Sequence, residues 1–254
     1  MTENTPATQT RRRFLRNASL AAGFFAVPGA FAEELMRETP WVTQGPLYPD
    51  KLPLDTDNDL IIVSNSLTPA VGEITHLSGR LLDRHGQPIR NAVIEIWQVD
   101  NKATYLKERS HKPAGSYDPN FQGFGRFETG SSGEYYFRTI KPVPYPSRPA
   151  PHIHFLVRAK GKEPWTTQLY VKGHPGNQRD HIYRGIGDTS AQELVTVDFV
   201  PVKDSRLGEL VAKFEGDPGG DCRSNHRLNR IARREVYDRE HHSQQAGHQG
   251  DRRN

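Results

Sequence analysis

The 254-residue chain contains a single cysteine. That excludes an intramolecular disulfide and any zinc or iron–sulfur site built from several thiolates. Apolar residues are scarce, at 34% of the chain. No run reaches the ~18 consecutive apolar residues of a spanning helix, so the mature chain is expected to carry no membrane span. Helical periodicity is also missing, since no amphipathic stretch exceeds two turns. There is no internal repeat, no Gly-rich phosphate loop and no serine-nucleophile motif. Turn formers are plentiful instead: 22 glycines and 19 prolines. They favour short elements joined by turns.

The formal charge is +4, and its location decides what it means. Residues 1–32 carry +3, residues 217–254 carry +2 and residues 33–216 carry −1. The central part is not basic, so a nucleic-acid partner is not expected. The N-terminal charge sits in Arg11-Arg12-Arg13-Phe14-Leu15, followed by an apolar run from Ala18 to Val27 and by Ala30-Phe31-Ala32. Basic, apolar and small-residue regions in this order form an export signal of the twin-arginine type, with cleavage expected after Ala32. The expected location is therefore the bacterial periplasm or beyond, reached through the twin-arginine machinery. That route carries folded proteins and hints at a cofactor loaded before export. No stable membrane anchor is expected after cleavage. Residues 217–254 hold eight Arg, four His and seven apolar residues. That apolar content is too small to offset ordering entropy, and a polar, disordered tail is expected. Cys222 lies in it.

Residues 33–216 suffice for one domain. Short runs rich in β-branched and aromatic residues recur between turn signals. Strands are expected at 60–63, 76–82, 92–99, 133–139, 152–158, 166–171 and 194–200. Turns are expected at Asp83–Pro88 and Ser131–Gly133. Val93, Glu95 and Trp97 alternate with Ile94, Ile96 and Gln98, the period of a strand with one apolar-rich face. The fold class is all-β: a β-sandwich of mainly antiparallel strands with long functional loops. One such loop spans Lys102–Asn120.

The densest chemical signal is Tyr145-Pro146-Ser147-Arg148-Pro149-Ala150-Pro151-His152-Ile153-His154. On a strand, His-x-His points both imidazoles to one face, where they can chelate one metal ion. Tyr145 lies just upstream, and Tyr105 opens the long loop. A phenol titrates near pH 10 and binds divalent ions poorly at neutral pH. A hard trivalent cation reverses that preference. Two tyrosines with two histidines therefore point to Fe(III). A zinc hydrolase using His-x-His stays open as an alternative, as does a β-sandwich binding module without metal.

The sequence resembles the intradiol ring-cleavage dioxygenases, most closely their protocatechuate 3,4-dioxygenase-like members. The resemblance runs from about Thr43 to Phe214. It is carried by Thr43–Pro49, by Glu95-Ile96-Trp97-Gln98 with Tyr105 eight residues after the Trp, and by Asp118–Phe121. Gly125-Arg126, Phe137–Pro142, Tyr145-Pro146, His152-Ile153-His154-Phe155 and Thr167-Gln168-Leu169-Tyr170 complete it. The resemblance implies Fe(III) ligands at Tyr105, Tyr145, His152 and His154, with catalytic roles for Tyr145, Arg148 and Gln168. It implies O2-dependent cleavage of a catechol-type diol to a cis,cis-muconate-type diacid. The short stretch Glu33–Thr68 leaves no room for the helical segment of the family's catechol-type members, which implies a substituted catechol. A homo-oligomer stays open. Two features depart from the family pattern. Pro151 separates Arg-Pro-Ala from the histidine pair. Phe214 leads into Glu215-Gly216-Asp217-Pro218 where an apolar closing strand is usual, so an exposed sheet edge is expected there.

Overall fold

A computed structural model describes residues 37–64 and 67–218. The expected export signal and residues 219–254 of the expected tail lie outside the described residues. Among the described residues nine strands form two sheets: β1 Ile74–Arg80, β2 Val93–Trp97, β3 Phe124–Glu128, β4 Glu134–Ile140, β5 His152–Arg158, β6 Trp165–Val171, β7 Thr196–Val197, β8 Val200–Pro201 and β9 Leu210–Lys213. The four-stranded sheet has the order β4-β1-β9-β8 and the five-stranded sheet β3-β2-β5-β6-β7. Pairing is antiparallel except for β1–β9 and β6–β7. Two short helices, α1 His181–Arg184 and α2 Thr189–Glu193, lie between β6 and β7. No described helix is long and apolar enough to cross a membrane. The all-β sandwich read from the sequence is the fold observed.

Strand alternation builds the core. Leu77, Tyr135 and Phe137 of one sheet meet Ile94, Ile96, Ile153, Phe155, Val157 and Leu169 of the other. β1 alternates between buried and half-buried positions, as expected for a strand with one wet face. β5 and β6 depart from that pattern: nearly every residue on both of their faces is buried. Their second face carries His152, His154, Gln168 and Tyr170, all buried. Loops lie over this face. The N-terminal segment also covers β6, with Val42 N donating to Thr166 O at 3.0 Å and Gln168 Nε2 donating to Thr43 O at 2.9 Å. A buried polar sheet face needs internal partners, and these partners make the site.

Three expectations need correction. Residues 60–63 form no strand. Asp57 Oδ1 accepts from Asp59 N and Asp59 Oδ1 from Ile61 N, which turns the chain. Leu60 and Ile61 then plug the core as a loop. Gly125 makes room for them, because a Cβ there would lie 2.5 Å from Leu60 Cδ1. The run 194–200 divides into β7 and the start of β8, which belong to different sheets. It carries the chain across the sandwich. The edge expected after Phe214 is filled. β9 lies between β1 and β8, and pairing along β1 continues through Phe214 N to Ser78 O at 2.9 Å and Gly216 N to Arg80 O at 3.0 Å. β3 and β9 are additional to the expected strands.

Candidate active site

Register places the histidines. His152 opposes Tyr170 on β6, while His154 opposes Gln168 on β6 and Trp97 on β2. All five side chains share the outer face of the five-stranded sheet. Pro149 and Pro151 disfavour ladder pairing just upstream, so β5 begins at His152.

Tyr105 reaches the same face from the long loop. After Trp97 the chain turns around Asp100, whose Oδ1 accepts from Lys102 N and Thr104 N. Its Oδ2 accepts from Asp118 N at 2.7 Å, which ties the far end of the loop to its start. A 3-10 turn follows at Leu106–His111, and Glu108 accepts from Tyr105 N at 2.9 Å. Tyr105 is thereby fixed and almost fully enclosed. Tyr145 comes from a tight turn, Tyr145-Pro146-Ser147-Arg148, closed by two backbone hydrogen bonds. It stays half-buried.

The four donors converge. Tyr105 Oη lies 3.0 Å from His154 Nε2, 3.3 Å from His152 Nε2 and 3.3 Å from Tyr145 Oη. His152 Nδ1 faces Ala150 O at 2.7 Å. That contact makes Nδ1 the protonated nitrogen and turns the Nε2 lone pair toward the cluster. His154 Nδ1 is buried and has no hydrogen-bond partner among the described residues. One phenol proton cannot serve two imidazole lone pairs at once. The cluster is rich in lone pairs and poor in protons, as a cation site should be.

Electrostatics agree. Burial first, then the nearby Arg148 charge, pushes both imidazoles well below their usual range and keeps them neutral. Burial raises both phenols, Tyr105 most strongly, while Arg148 favours their anionic forms. Without a compensating cation the phenols stay protonated. Two oxygen anions beside two neutral nitrogens are a donor set suited to a hard trivalent ion.

Arg148 and Gln168 stand at the edge of this cluster. Arg148 Nη2 donates to Gln168 Oε1 at 2.9 Å and to Tyr170 Oη at 3.3 Å, and Tyr170 Oη donates to Gln168 Oε1 at 2.8 Å. Arg148 Nε donates to Asp180 Oδ2 at 2.7 Å. The extra Pro151 does not move Arg148 away from the histidines. On the other side, Trp97 stacks on His154 with centroids 4.7 Å apart and planes 8° apart. Tyr48 meets Trp97 edge-on and donates to Glu95 at 2.9 Å. Gly45, at φ +67°, approaches the His154 ring.

The structure thus brings together every site residue read from the sequence: Tyr105, Tyr145, Arg148, His152, His154 and Gln168. Sequence reasoning missed Asp180, the stacking role of Trp97 and the Tyr170 hydroxyl. Trp97 and Tyr170 were legible as same-face strand positions. Asp180 gave no signal beyond a helix N-cap.

Fold and donor set together define a β-sandwich protein with a buried tyrosine–histidine centre on the outer face of one sheet. A family model described as Dioxygenase matches residues 43–209. The chain belongs to the intradiol ring-cleavage dioxygenase family. It is 35% identical over 151 residues to the protocatechuate 3,4-dioxygenase beta chain of Burkholderia cepacia, covering 57% of this chain and 63% of that one. It is 28% identical over 163 residues to a hydroxyquinol 1,2-dioxygenase of Rhizobium sp. strain MTP-10005, covering 57% and 51%. The chain therefore spans between half and two thirds of the length of these relatives. Among solved structures, it is similar to catechol 1,2-dioxygenase from Acinetobacter sp. ADP1 inhibited by bound mercury. That match has TM-score 0.55 and 25% identity, covering 82% of this chain and 67% of the other. The dioxygenase domain of a dioxygenase–carbohydrate-binding fusion from Streptomyces sp. SirexAA-E also has TM-score 0.55 and 25% identity, covering 73% and 99%.

Proposed function

We propose that the protein cleaves a catechol-type diol between its two hydroxyl-bearing carbons, using O2 and giving a cis,cis-muconate-type diacid that keeps both oxygen atoms. The observation that carries this reading is the convergence of Tyr145, His152 and His154 within 3.3 Å of the Tyr105 hydroxyl. These four residues would hold Fe(III). The bound ion supplies Lewis acidity toward the diol oxygens and a redox path between ring and O2.

The remaining tasks fall to side chains. Tyr105 is enclosed and stays in place. Tyr145 is half-buried on a short turn, so its Oη is the phenol free to swing aside and take one diol proton. Arg148 presents a buried, permanent positive charge where negative charge develops on the substrate. Gln168 holds that guanidinium by its Nη2 edge and orients the same region by hydrogen bonding. Tyr105, Trp97 and Leu156 form an apolar wall that excludes water from the ring. We also propose, from the sequence pattern alone, that residues 1–32 direct export to the bacterial periplasm or beyond.

The zinc hydrolase reading is weaker. Among the described residues, no third His, Cys, Asp or Glu joins His152 and His154, and phenols hold those places. Metal analysis with an O2-uptake screen over catechol, protocatechuate, hydroxyquinol and aryl catechols tests the proposal. Stoichiometric iron and a muconate-type product spectrum are expected. Zinc in its place, or colourless protein that takes up no iron, overturns it.

A further inference from the structure

Arg148 has five guanidinium protons, and the structure accounts for three of them. Nε donates to Asp180 Oδ2 at 2.7 Å. The two on Nη2 go to Gln168 Oε1 and Tyr170 Oη. Nη1 makes no hydrogen bond among the described residues, and it is the only guanidinium nitrogen left for a ligand.

Asp180 is completely buried, and each of its oxygens has a separate task. Oδ1 accepts from Ile182 N and Tyr183 N, both at 3.0 Å, and so caps α1. Oδ2 takes the Arg148 Nε proton and lies 3.4 Å from Ala150 N, two residues before His152. Tyr183 of α1 packs edge-on against Tyr170, with centroids 5.0 Å apart. One carboxylate therefore ties together α1, the turn that carries Tyr145 and Arg148, and the strand entry to the histidine pair.

Resting on the function proposed above, we infer that Asp180 is the positioning residue for Arg148. It fixes the guanidinium by its Nε edge, so that Nη1 alone points to the anionic oxygen of the reacting diol. Gln168 and Tyr170 cannot do this by themselves. Both hold the same nitrogen, Nη2, so among the described residues Asp180 is the only group that holds the Nε edge. The pair is also charge-balanced: the buried Asp180 carboxylate supports the buried cation. The substrate then meets a fixed donor pair rather than a mobile charge.

The test uses the full iron-loaded protein. Asp180→Asn keeps a good helix N-cap, so α1 survives, but its amide can face Arg148 Nε donor to donor. Iron content and the visible band should match wild type. The kcat should fall about 10–100-fold, as for other residues that orient a catalytic group, with KM changed far less. Arg148→Ala should be partly rescued by added guanidinium ion, and the Asp180→Asn/Arg148→Ala double variant should not. A readout independent of turnover is the Arg148 Nε–H resonance in the iron-free protein. It should exchange slowly with solvent in wild type and rapidly in Asp180→Asn. Wild-type kcat in Asp180→Asn, equal guanidinium rescue in both backgrounds, or unchanged Nε–H exchange would each overturn the inference. Wild-type protein that binds iron but turns over no catechol removes the functional reading, and this inference with it.

Discussion

The backbones of Tyr145 and Arg148 are hydrogen-bonded to each other in both directions, Tyr145 N to Arg148 O at 3.1 Å and Arg148 N to Tyr145 O at 2.9 Å. One four-residue turn therefore sets two side chains with opposite tasks, a phenol that must move and a cation that must not. Asp180 and Gln168 anchor Arg148, whereas among the described residues the Tyr145 hydroxyl is hydrogen-bonded only to Tyr105.

That difference makes Tyr145 the informative substitution. Tyr145→Phe removes one phenolate and keeps the ring and the turn. Iron-loaded Tyr145→Phe is expected to show a weaker, shifted tyrosinate-to-iron absorption band. Its kcat should fall by about 10²-fold or more if the hydroxyl takes a diol proton. Absorption spectra and stopped-flow turnover measure both. An unchanged visible band would mean that Tyr145 is not a ligand.

Much of this site was legible in the sequence because its residues lie on regular structure or beside it. Two imidazoles two residues apart on a strand must share a face. Tyr145 and Arg148 are linked by a turn too short to separate them. Tyr105 is different, since its position depends on Asp100 and Asp118 folding the long loop; its place at the start of that loop made it a candidate, and the family resemblance assigned it as a ligand. Asp180 is 32 residues from Arg148, and no local pattern announces that contact. In the fold, alternation identified β1, β2, β4, β5 and β6. β3 escaped because Gly125 interrupts its apolar signal, and β9 because it is four residues long. Leu60 and Ile61 misled because burial alone does not make a strand.

Glu95 is expected to contribute to acid sensitivity beside the site. Burial opposes its charge, but hydrogen bonds from Arg126, Arg158 and Tyr48 outweigh that and hold its carboxyl below the usual range. A carboxylate depressed in the folded state stabilises the protein above its unfolded pKa, and this contribution is lost as pH falls through the folded value. Glu95→Gln should therefore be less stable than wild type at pH 7. Its stability should change less between about pH 5 and pH 3, with the unfolded carboxylate near 4.3 as the upper reference. Denaturant unfolding at a series of pH values checks this, and parallel pH profiles for the two proteins would contradict it.

Gly79 marks where the chain after β9 closes on β1. A Cβ there would lie 1.8 Å from Phe214 O and 2.8 Å from the Tyr135 hydroxyl. Gly79→Ala must displace backbone, and a cost of about 3 kcal/mol is expected, at the upper end for overpacking. Thermal or urea unfolding reads it. An alanine variant as stable as wild type would mean that residues 214–217 do not pack against β1.

The most direct test of the central claim is product analysis after turnover of a catechol by the iron-loaded protein under ¹⁸O2. The account predicts a cis,cis-muconate-type diacid carrying two ¹⁸O atoms, one from each end of the O2 molecule. A ring-opened semialdehyde, a product with no label, or no product at all would contradict it.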